Sequence, residues 1–112
     1  MTVDQMMQQA KLALNESKLE EAELLFQKII QTQPTHYKAH NNLGAILLKL
    51  GRLDEAEASY NQAIALKPDF ADAYNNLGKT LQEIGRLEEA DASFKQAIPL
   101  VFTISSGDCF CP

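Results

Sequence analysis

A segment of 34 residues recurs along this chain, and this repetition limits the possible folds more than any other feature of the sequence. The segment spans residues 37–70, a close copy follows at 71–98, and a weaker copy precedes it at 3–36. The clearest matches are Asn41-Asn42-Leu43-Gly44 with Asn75-Asn76-Leu77-Gly78, Gly51-Arg52-Leu53 with Gly85-Arg86-Leu87, and Pro34 with Pro68. A fixed period of this size indicates a stack of repeated units, each too small to bury its apolar face alone.

Apolar residues within each copy recur at steps of three and four, which is the spacing of one helical face. In the middle copy this stripe consists of Ala39, Leu43, Leu47 and Leu50. Each copy therefore predicts two amphipathic helices joined by a short turn, and the fold class is all-α. The predicted helices span residues 4–15, 18–31, 37–50, 53–66, 71–84 and 87–98.

The positions of the glycines in the repeat predict two different structural roles for them. Gly44 lies inside a predicted helix, where glycine costs about 1 kcal/mol relative to alanine. We therefore expect Gly44 to admit a neighbouring backbone, with the small Ala56 opposite it on the second helix. Gly51 and Gly85 follow the first helix of their repeats, where we expect a left-handed C-cap conformation.

The prolines predict where the second helix of each repeat ends. Pro34 and Pro68 cannot continue a helix, so the preceding helices should stop before them. Thr35 and Asp69 then stand in position to N-cap the next helix, because their side chains can accept a backbone N–H.

The residues at these positions resemble the tetratricopeptide repeat (TPR), a helix-turn-helix unit of the same length. In the middle copy they are His40, Leu43-Gly44, Leu47, Ala56, Tyr60, Ala63 and Pro68. In the third copy they are Tyr74, Leu77-Gly78, Leu81, Ala90, Phe94 and Ala97. The resemblance implies a right-handed superhelical stack of three repeats (3–36, 37–70 and 71–98) within residues 1–98. The chain is similar to bacterial TPR proteins and to the TPR superhelix of O-linked N-acetylglucosamine transferases.

The resemblance also implies a binding surface, because the first helices of successive TPRs line a concave groove. The candidate peptide-binding residues are Lys11, Lys38, Asn41, Asn42, Ala45, Lys49, Asp72, Asn75, Asn76 and Lys79. Asn42 and Asn76 are the strongest candidates, since a side-chain amide can both donate to and accept from the backbone of an extended peptide. The alternative is that the Asn-Asn-Leu-Gly run is common family consensus that serves helix contacts and solubility.

One TPR subgroup, which holds acidic chaperone C-termini, requires a specific set of lysines, arginine and asparagine. This chain departs from that set at Met7, Lys11 and Asp72. We therefore do not expect a receptor for chaperone tails. The mixed charge of the groove is better suited to a polar extended segment.

Composition and charge exclude several other functions. The net charge of −5 argues against a nucleic-acid partner, which would require a basic face. No leader-like or membrane-spanning apolar run is visible, so we expect a cytoplasmic protein without a membrane partner. The acidic clusters at 20–23, 54–57 and 88–91 open the second helices, where carboxylates favour the positive end of the helix dipole. They predict solvated helix starts rather than catalytic pairs, so we expect no enzyme and no cofactor.

The histidines and cysteines do not form a convincing metal site. His36 and His40 have the four-residue spacing of metal ligands, but no further ligand lies in register with them. His40 also occupies the place of Tyr74 in the next repeat, which favours a packing role. Cys109 and Cys111 would need two further ligands to bind zinc, so free thiols in a reducing compartment are the default expectation.

The last stretch, residues 99–112, breaks the repeat. Pro99 lies where Ala65 stands one repeat earlier, and no capping helix follows. We therefore predict an irregular apolar tail and loss of packing partners for Ala90, Phe94, Ala97 and Ile98. The tail could dock on this open end, a second copy could cover it in a homo-oligomer, or the sequence could be a fragment.

Two classes of function follow. The first is a non-catalytic protein-interaction scaffold that binds an extended peptide or partner segment in its concave groove. The second is the truncated or detached TPR region of a larger enzyme, such as a glycosyltransferase or sulfotransferase.

Overall fold

The computed structural model describes the backbone of residues 2–101 and the side chains of residues 2–97. These residues form α1 (Val3–Asn15), α2 (Leu19–Thr32), α3 (Tyr37–Lys49), α4 (Leu53–Leu66), α5 (Ala71–Ile84) and α6 (Leu87–Val101). No strand occurs between residues 2 and 101. The predicted all-α stack of three helix-turn-helix repeats is confirmed. None of these six helices is long and apolar enough to cross a membrane.

The helices pack in the order expected of stacked hairpins. Within each repeat, α1 packs on α2, α3 on α4 and α5 on α6, while α2 packs on α3 and α4 on α5 between repeats. The first helices α3 and α5 also contact each other directly. The resulting body is elongated, with principal extents of 54 × 28 × 23 Å.

The turn inside every repeat has the same backbone geometry. Gly51 and Gly85 adopt positive φ values of 81° and 98°, which confirms the predicted left-handed conformation. In the second repeat the N–H groups of Gly51 and Arg52 donate to the carbonyls of Leu48 and Leu47, a Schellman motif that satisfies the end of α3. Ser17 takes the same role in the first repeat with a φ of 62°, although it is not a glycine.

The glycines inside α3 and α5 face an aromatic ring rather than a neighbouring backbone, which corrects the prediction for Gly44. A Cβ placed on Gly44 would lie 2.7 Å from Cε1 of Tyr60. The same Cβ on Gly78 would lie 2.6 Å from Cε1 of Phe94. Such distances are too short for a methyl group, so in the second and third repeats the ring of the second helix packs on bare backbone of the first; the first repeat has Ala10 at this position.

The helix starts differ from the prediction at two positions. α2 and α4 end before Pro34 and Pro68 as expected, but α3 and α5 begin one residue later than Thr35 and Asp69 would require. The N-cap of α3 is His36, whose Nδ1 accepts from the N–H of Ala39 at 3.1 Å. The N-cap of α5 is Phe70, which has no capping side chain, while Asp69 pairs with Lys67 instead.

The C-terminal end also differs from the prediction. α6 continues through Pro99 to Val101, three residues beyond its predicted end. Ala90 and Ala97 are only 1% and 3% exposed, so both are buried rather than left without neighbours. Phe94 is half-buried, and the predicted tail from residue 102 lies outside the described residues.

Tyr60 is completely buried, and its hydroxyl has no hydrogen-bond partner among the described residues. Burial raises the pKa of the Tyr60 phenol above its usual value, so the group stays neutral. Phe26 and Phe94 stand at the equivalent positions of the other two repeats. The hydroxyl therefore adds a desolvation cost that its neighbours in the stack avoid.

We expect Gly44→Ala to destabilise the protein by about 1–2 kcal/mol. Overpacking against the Tyr60 ring costs more than the roughly 1 kcal/mol gained in helix propensity. Urea unfolding measures the change. In a Tyr60→Leu background the same substitution should cost less, and an equal cost in both backgrounds would contradict the ring contact.

We expect Tyr60→Phe to raise the free energy of unfolding by about 1 kcal/mol, because it removes an unpaired buried hydroxyl and keeps the ring on Gly44. Urea unfolding of the variant beside the wild-type chain measures this. A loss of stability would mean that the hydroxyl has a partner, and would refute this interpretation.

Candidate peptide-binding groove

Five of the ten predicted site residues line one cavity on the face of the stack that the first helices form. They are Lys11 of α1, Lys38, Asn41 and Asn42 of α3, and Asp72 of α5. The cavity has a volume of about 260 Å³, and its remaining lining residue is Phe70 at the N-cap of α5. The first helices of all three repeats thus contribute to a single surface.

A second cavity of about 340 Å³ adjoins the first on the α1 side. It is lined by Asp4, Met7, Gln8, Lys11, His36 and Lys38. Lys11 and Lys38 line both cavities, so the two cavities adjoin on one face of the stack. We call this surface, formed by the lining residues of both cavities, the inner groove.

Phe70 is a groove residue that the sequence analysis did not identify. Its ring meets the ring of Tyr37 edge-on, with centroids 5.1 Å apart and an angle of 80° between the planes. Its counterpart one repeat earlier is His36, which also lines the groove. Both residues are the N-caps of first helices. The residue that precedes each predicted first helix was therefore a candidate groove residue in the sequence.

The asparagines of the two Asn-Asn-Leu-Gly runs have unequal roles. The Nδ2 of Asn76 donates to the Oδ1 of Asn41 at 3.1 Å, which links α5 to α3. Asn41 is only 9% exposed, so this bond is largely shielded from water. Within the described residues the Asn76 amide is therefore partly committed to the contact between repeats.

Asn42 makes no such bond to another described side chain. By the repeat period its partner would be residue 7, where the chain has Met7 in place of an amide. Asn42 is half-buried and lines the cavity. Of the two asparagines proposed as a ladder, Asn42 is thus the one whose amide can turn to a ligand.

The four other predicted residues lie away from both cavities. Ala45 is half-buried, while Lys49, Asn75 and Lys79 are exposed. Lys49 is the last residue of α3, and Asn75 and Lys79 belong to α5, which is the first helix of the third repeat.

Charged residues outside the groove form ion pairs between repeats. Arg52 binds Glu23 of the preceding repeat at 2.8 Å, and Arg86 binds Glu57 in the same way at 2.8 Å. The Arg52 guanidinium also hydrogen-bonds Glu55 and holds the pKa of that carboxyl below its usual value. The acidic clusters lie in the first turns of the second helices, as predicted, and also supply these pairs.

The two histidines are engaged with backbone groups rather than with each other. His36 caps α3, and the Nε2 of His40 lies 2.9 Å from the carbonyl oxygen of Pro34. No group of three or more metal-ligating side chains occurs in the part of the chain that the structure describes. Cys109 and Cys111 lie outside that part.

A further shallow cavity of about 370 Å³ lies between α2, α3 and α4, outside the inner groove. Its lining contains no lysine, arginine or acidic residue; it consists of Gln27, Ile30, Gln31, His40, Leu43, Ala58, Ser59 and Gln62. None of the predicted site residues lines this cavity.

Three family models match consecutive parts of the chain. Models described as tetratricopeptide repeat match residues 25–58 and 71–100, and one described as TPR repeat matches residues 46–85. The chain belongs to the tetratricopeptide repeat family. The resemblance stated from the sequence is thereby confirmed.

Solved TPR structures share the fold at low sequence identity. The second TPR of Spaghetti (RPAP3) bound to the HSP90 peptide SRMEEVD has a TM-score of 0.85, with 23% identity over 88% of this chain and 91% of that one. The TPR2B domain of yeast Sti1 in its pHsp70 complex has a TM-score of 0.87, with 22% identity over 95% and 85%. The MamA structure MSR-1 C2 has a TM-score of 0.80 and 26% identity, and this chain covers 57% of it. A comparison with curated protein sequences gave no significant match.

We expect Asn76→Ala to destabilise the protein by about 1 kcal/mol more than Asn75→Ala. Both substitutions change helix propensity equally, but only Asn76 bonds the shielded Asn41 amide. Urea unfolding of the two variants measures the difference. Equal stabilities would show that the bond between α3 and α5 contributes nothing.

Proposed function

We propose that this TPR protein is a non-catalytic interaction scaffold that binds an extended segment of a partner protein in the inner groove. The observation that carries the proposal is the half-buried Asn42 amide, which lines a cavity between three helices and has no side-chain partner among the described residues. An amide in this position can donate to a backbone carbonyl and accept from a backbone N–H of the same peptide.

The dimensions of the groove favour an extended peptide. Packed helices lie about 8–10 Å apart, and α3 contacts α5 directly, so the groove is about 8–10 Å long between these two axes and extends further over α1. An extended chain rises about 3.3 Å per residue, so about three residues span the part between α3 and α5 alone. A small molecule would leave most of this surface uncovered.

The fold supports the same proposal. The Spaghetti and Sti1 TPR structures hold, by their descriptions, an HSP90 peptide and pHsp70. Peptide binding is therefore within the capacity of this arrangement of helices. We do not extend the chaperone ligand to this chain, because Met7, Lys11 and Asp72 replace residues that the chaperone-tail subgroup requires.

The second class of function, a TPR region detached from a glycosyltransferase or sulfotransferase, gains no support from the structures reported above. Self-association through the C-terminal end and a cytoplasmic location stay predictions. Neither is needed for the groove to bind a partner.

The proposal is tested with a displayed library of random linear peptides selected on the wild-type protein. We expect enriched peptides whose affinity falls about fivefold in Asn42→Ala, the loss of about 1 kcal/mol expected for one neutral hydrogen bond. Isothermal titration of synthetic copies measures the affinities. Asn75→Ala is the matched control, because Asn75 is an exposed first-helix asparagine that lines neither cavity.

The binding site is checked by NMR chemical-shift mapping with the tightest selected peptide. Shifts should concentrate on α1, α3 and the start of α5. No enriched peptide, or enriched peptides that shift only α2 and α4 and bind Asn42→Ala unchanged, would refute the proposed function.

A further inference from the structure

The lysines of the inner groove lie between two acidic residues. Lys11 and Lys38 line both cavities. Asp4 lines only the cavity on the α1 side, and Asp72 lines only the cavity on the α5 side. A ligand that crosses from the lysines towards α5 thus passes from a pair of positive charges to a negative charge.

None of Lys11, Lys38 and Asp72 forms an ion pair within the described residues. Some basic residues elsewhere on the surface do so, as in the pairs Lys67–Asp69 and Lys95–Asp91, whereas the exposed Lys28, Lys49 and Lys79 do not. Lys11, Lys38 and Asp72 are all exposed, so their charges are available to a bound segment.

Phe70 lines the groove in the same cavity as the two lysines and Asp72. It is half-buried and held edge-on by Tyr37, so it presents a fixed apolar surface. The aliphatic part of a long ligand side chain can lie on such a surface while its charged end reaches a carboxylate.

We propose that the inner groove selects an internal segment that carries an acidic side chain and a basic side chain about three residues apart. The acidic side chain pairs with Lys11 and Lys38, and the basic side chain lies over Phe70 and pairs with Asp72. The separation follows from the helix spacing of about 8–10 Å and an extended rise of about 3.3 Å per residue. This inference rests on the proposed function and names the chemical class of its ligand.

The same charges disfavour two other ligands. A segment with acidic groups at both positions would bring one of them against Asp72, and a segment with basic groups at both would bring one against the lysines. Like charges in contact at an interface suppress wrong partners more strongly than matched charges raise affinity for the right one. Asp72 is therefore the residue that determines specificity on the α5 side of the lysines, and Asp4 is the acidic residue on their α1 side.

The test uses the displayed library with every random segment flanked on both sides by fixed glycine-serine spacers, so that no free terminus enters the groove. Pools are selected on the wild-type protein and on Asp72→Lys and then sequenced. We expect acidic-x-x-basic pairs, in either order, to exceed acidic-x-x-acidic pairs by about threefold on the wild type, the size expected of one exposed charge pair. On Asp72→Lys the preference should reverse, with Asp4→Asn made in both proteins so that position 72 alone decides which charge faces the lysines across the groove.

Asp54→Lys is the matched control for this reversal. Asp54 also lies in the first turn of a helix, so its replacement has the same effect on the helix dipole, but it belongs to the second helix α4. Its pool should match that of the wild type. Asp72→Asn removes the charge without reversing it and should abolish the preference. This variant replaces Asp72→Lys in the test if Asp72→Lys lowers the thermal stability of the protein.

The positive side of the groove is tested in the same way. A Lys11→Gln, Lys38→Gln double variant should lose the enrichment of acidic residues, while Lys28→Gln, at an exposed lysine of α2, should keep it. Raising the salt concentration should weaken the wild-type preference, because exposed charges are screened.

The outcomes separate this inference from the function on which it rests. A pool that binds the wild type and loses affinity for Asn42→Ala, but shows no pairing of opposite charges, would overturn the inference and leave the proposed function standing. A pool whose charge pattern is unchanged by Asp72→Lys would overturn it as well. The absence of any enriched pool that depends on Asn42 would overturn both.

Discussion

The contact between an aromatic ring and a bare helix backbone is the constraint on which this structure depends. Tyr60 packs on Gly44 and Phe94 on Gly78, at distances that leave no room for a Cβ atom. This contact sets how closely the two helices of a repeat approach. Because the same contact recurs one period later, successive repeats present similar surfaces to each other, and stacking can continue.

Two kinds of polar contact then join one repeat to the next. Arg52 reaches Glu23 and Arg86 reaches Glu57 through the turns that begin the second helices. Between the first helices, Asn76 bonds the shielded Asn41. Each ion pair joins an exposed arginine to a half-buried glutamate, while the amide bond is shielded by the burial of Asn41. The amide pair joins α3 to α5 directly, so it bears on the shape of the inner groove.

Function in such a molecule depends on which polar groups the stacking leaves unused. Lys11, Lys38 and Asp72 have no ion-pair partner among the described residues, and Asn42 lacks the bond that Asn76 makes. The reason for the difference is local. Residue 7 is methionine, so the first repeat offers no amide for Asn42 to bond. A change at one inner position in the first repeat thus leaves an amide in the second free for recognition.

The period, the apolar stripe and the glycine turns determined the six helices and their pairing, because each is a local property that repeats along the chain. The inner position of Lys11, Lys38 and Asn42 followed from the family resemblance. Tertiary structure alone decided that Gly44 meets a ring, that His36 caps α3 in place of Thr35, and that Asn76 is committed to Asn41 while Asn42 is free. The contacts of Gly44 and Asn76 depend on which side chains meet across helices, and the repeat pattern does not specify those partners. The cap at His36 is a local competition between neighbouring side chains, which only the backbone conformation at the start of α3 decides.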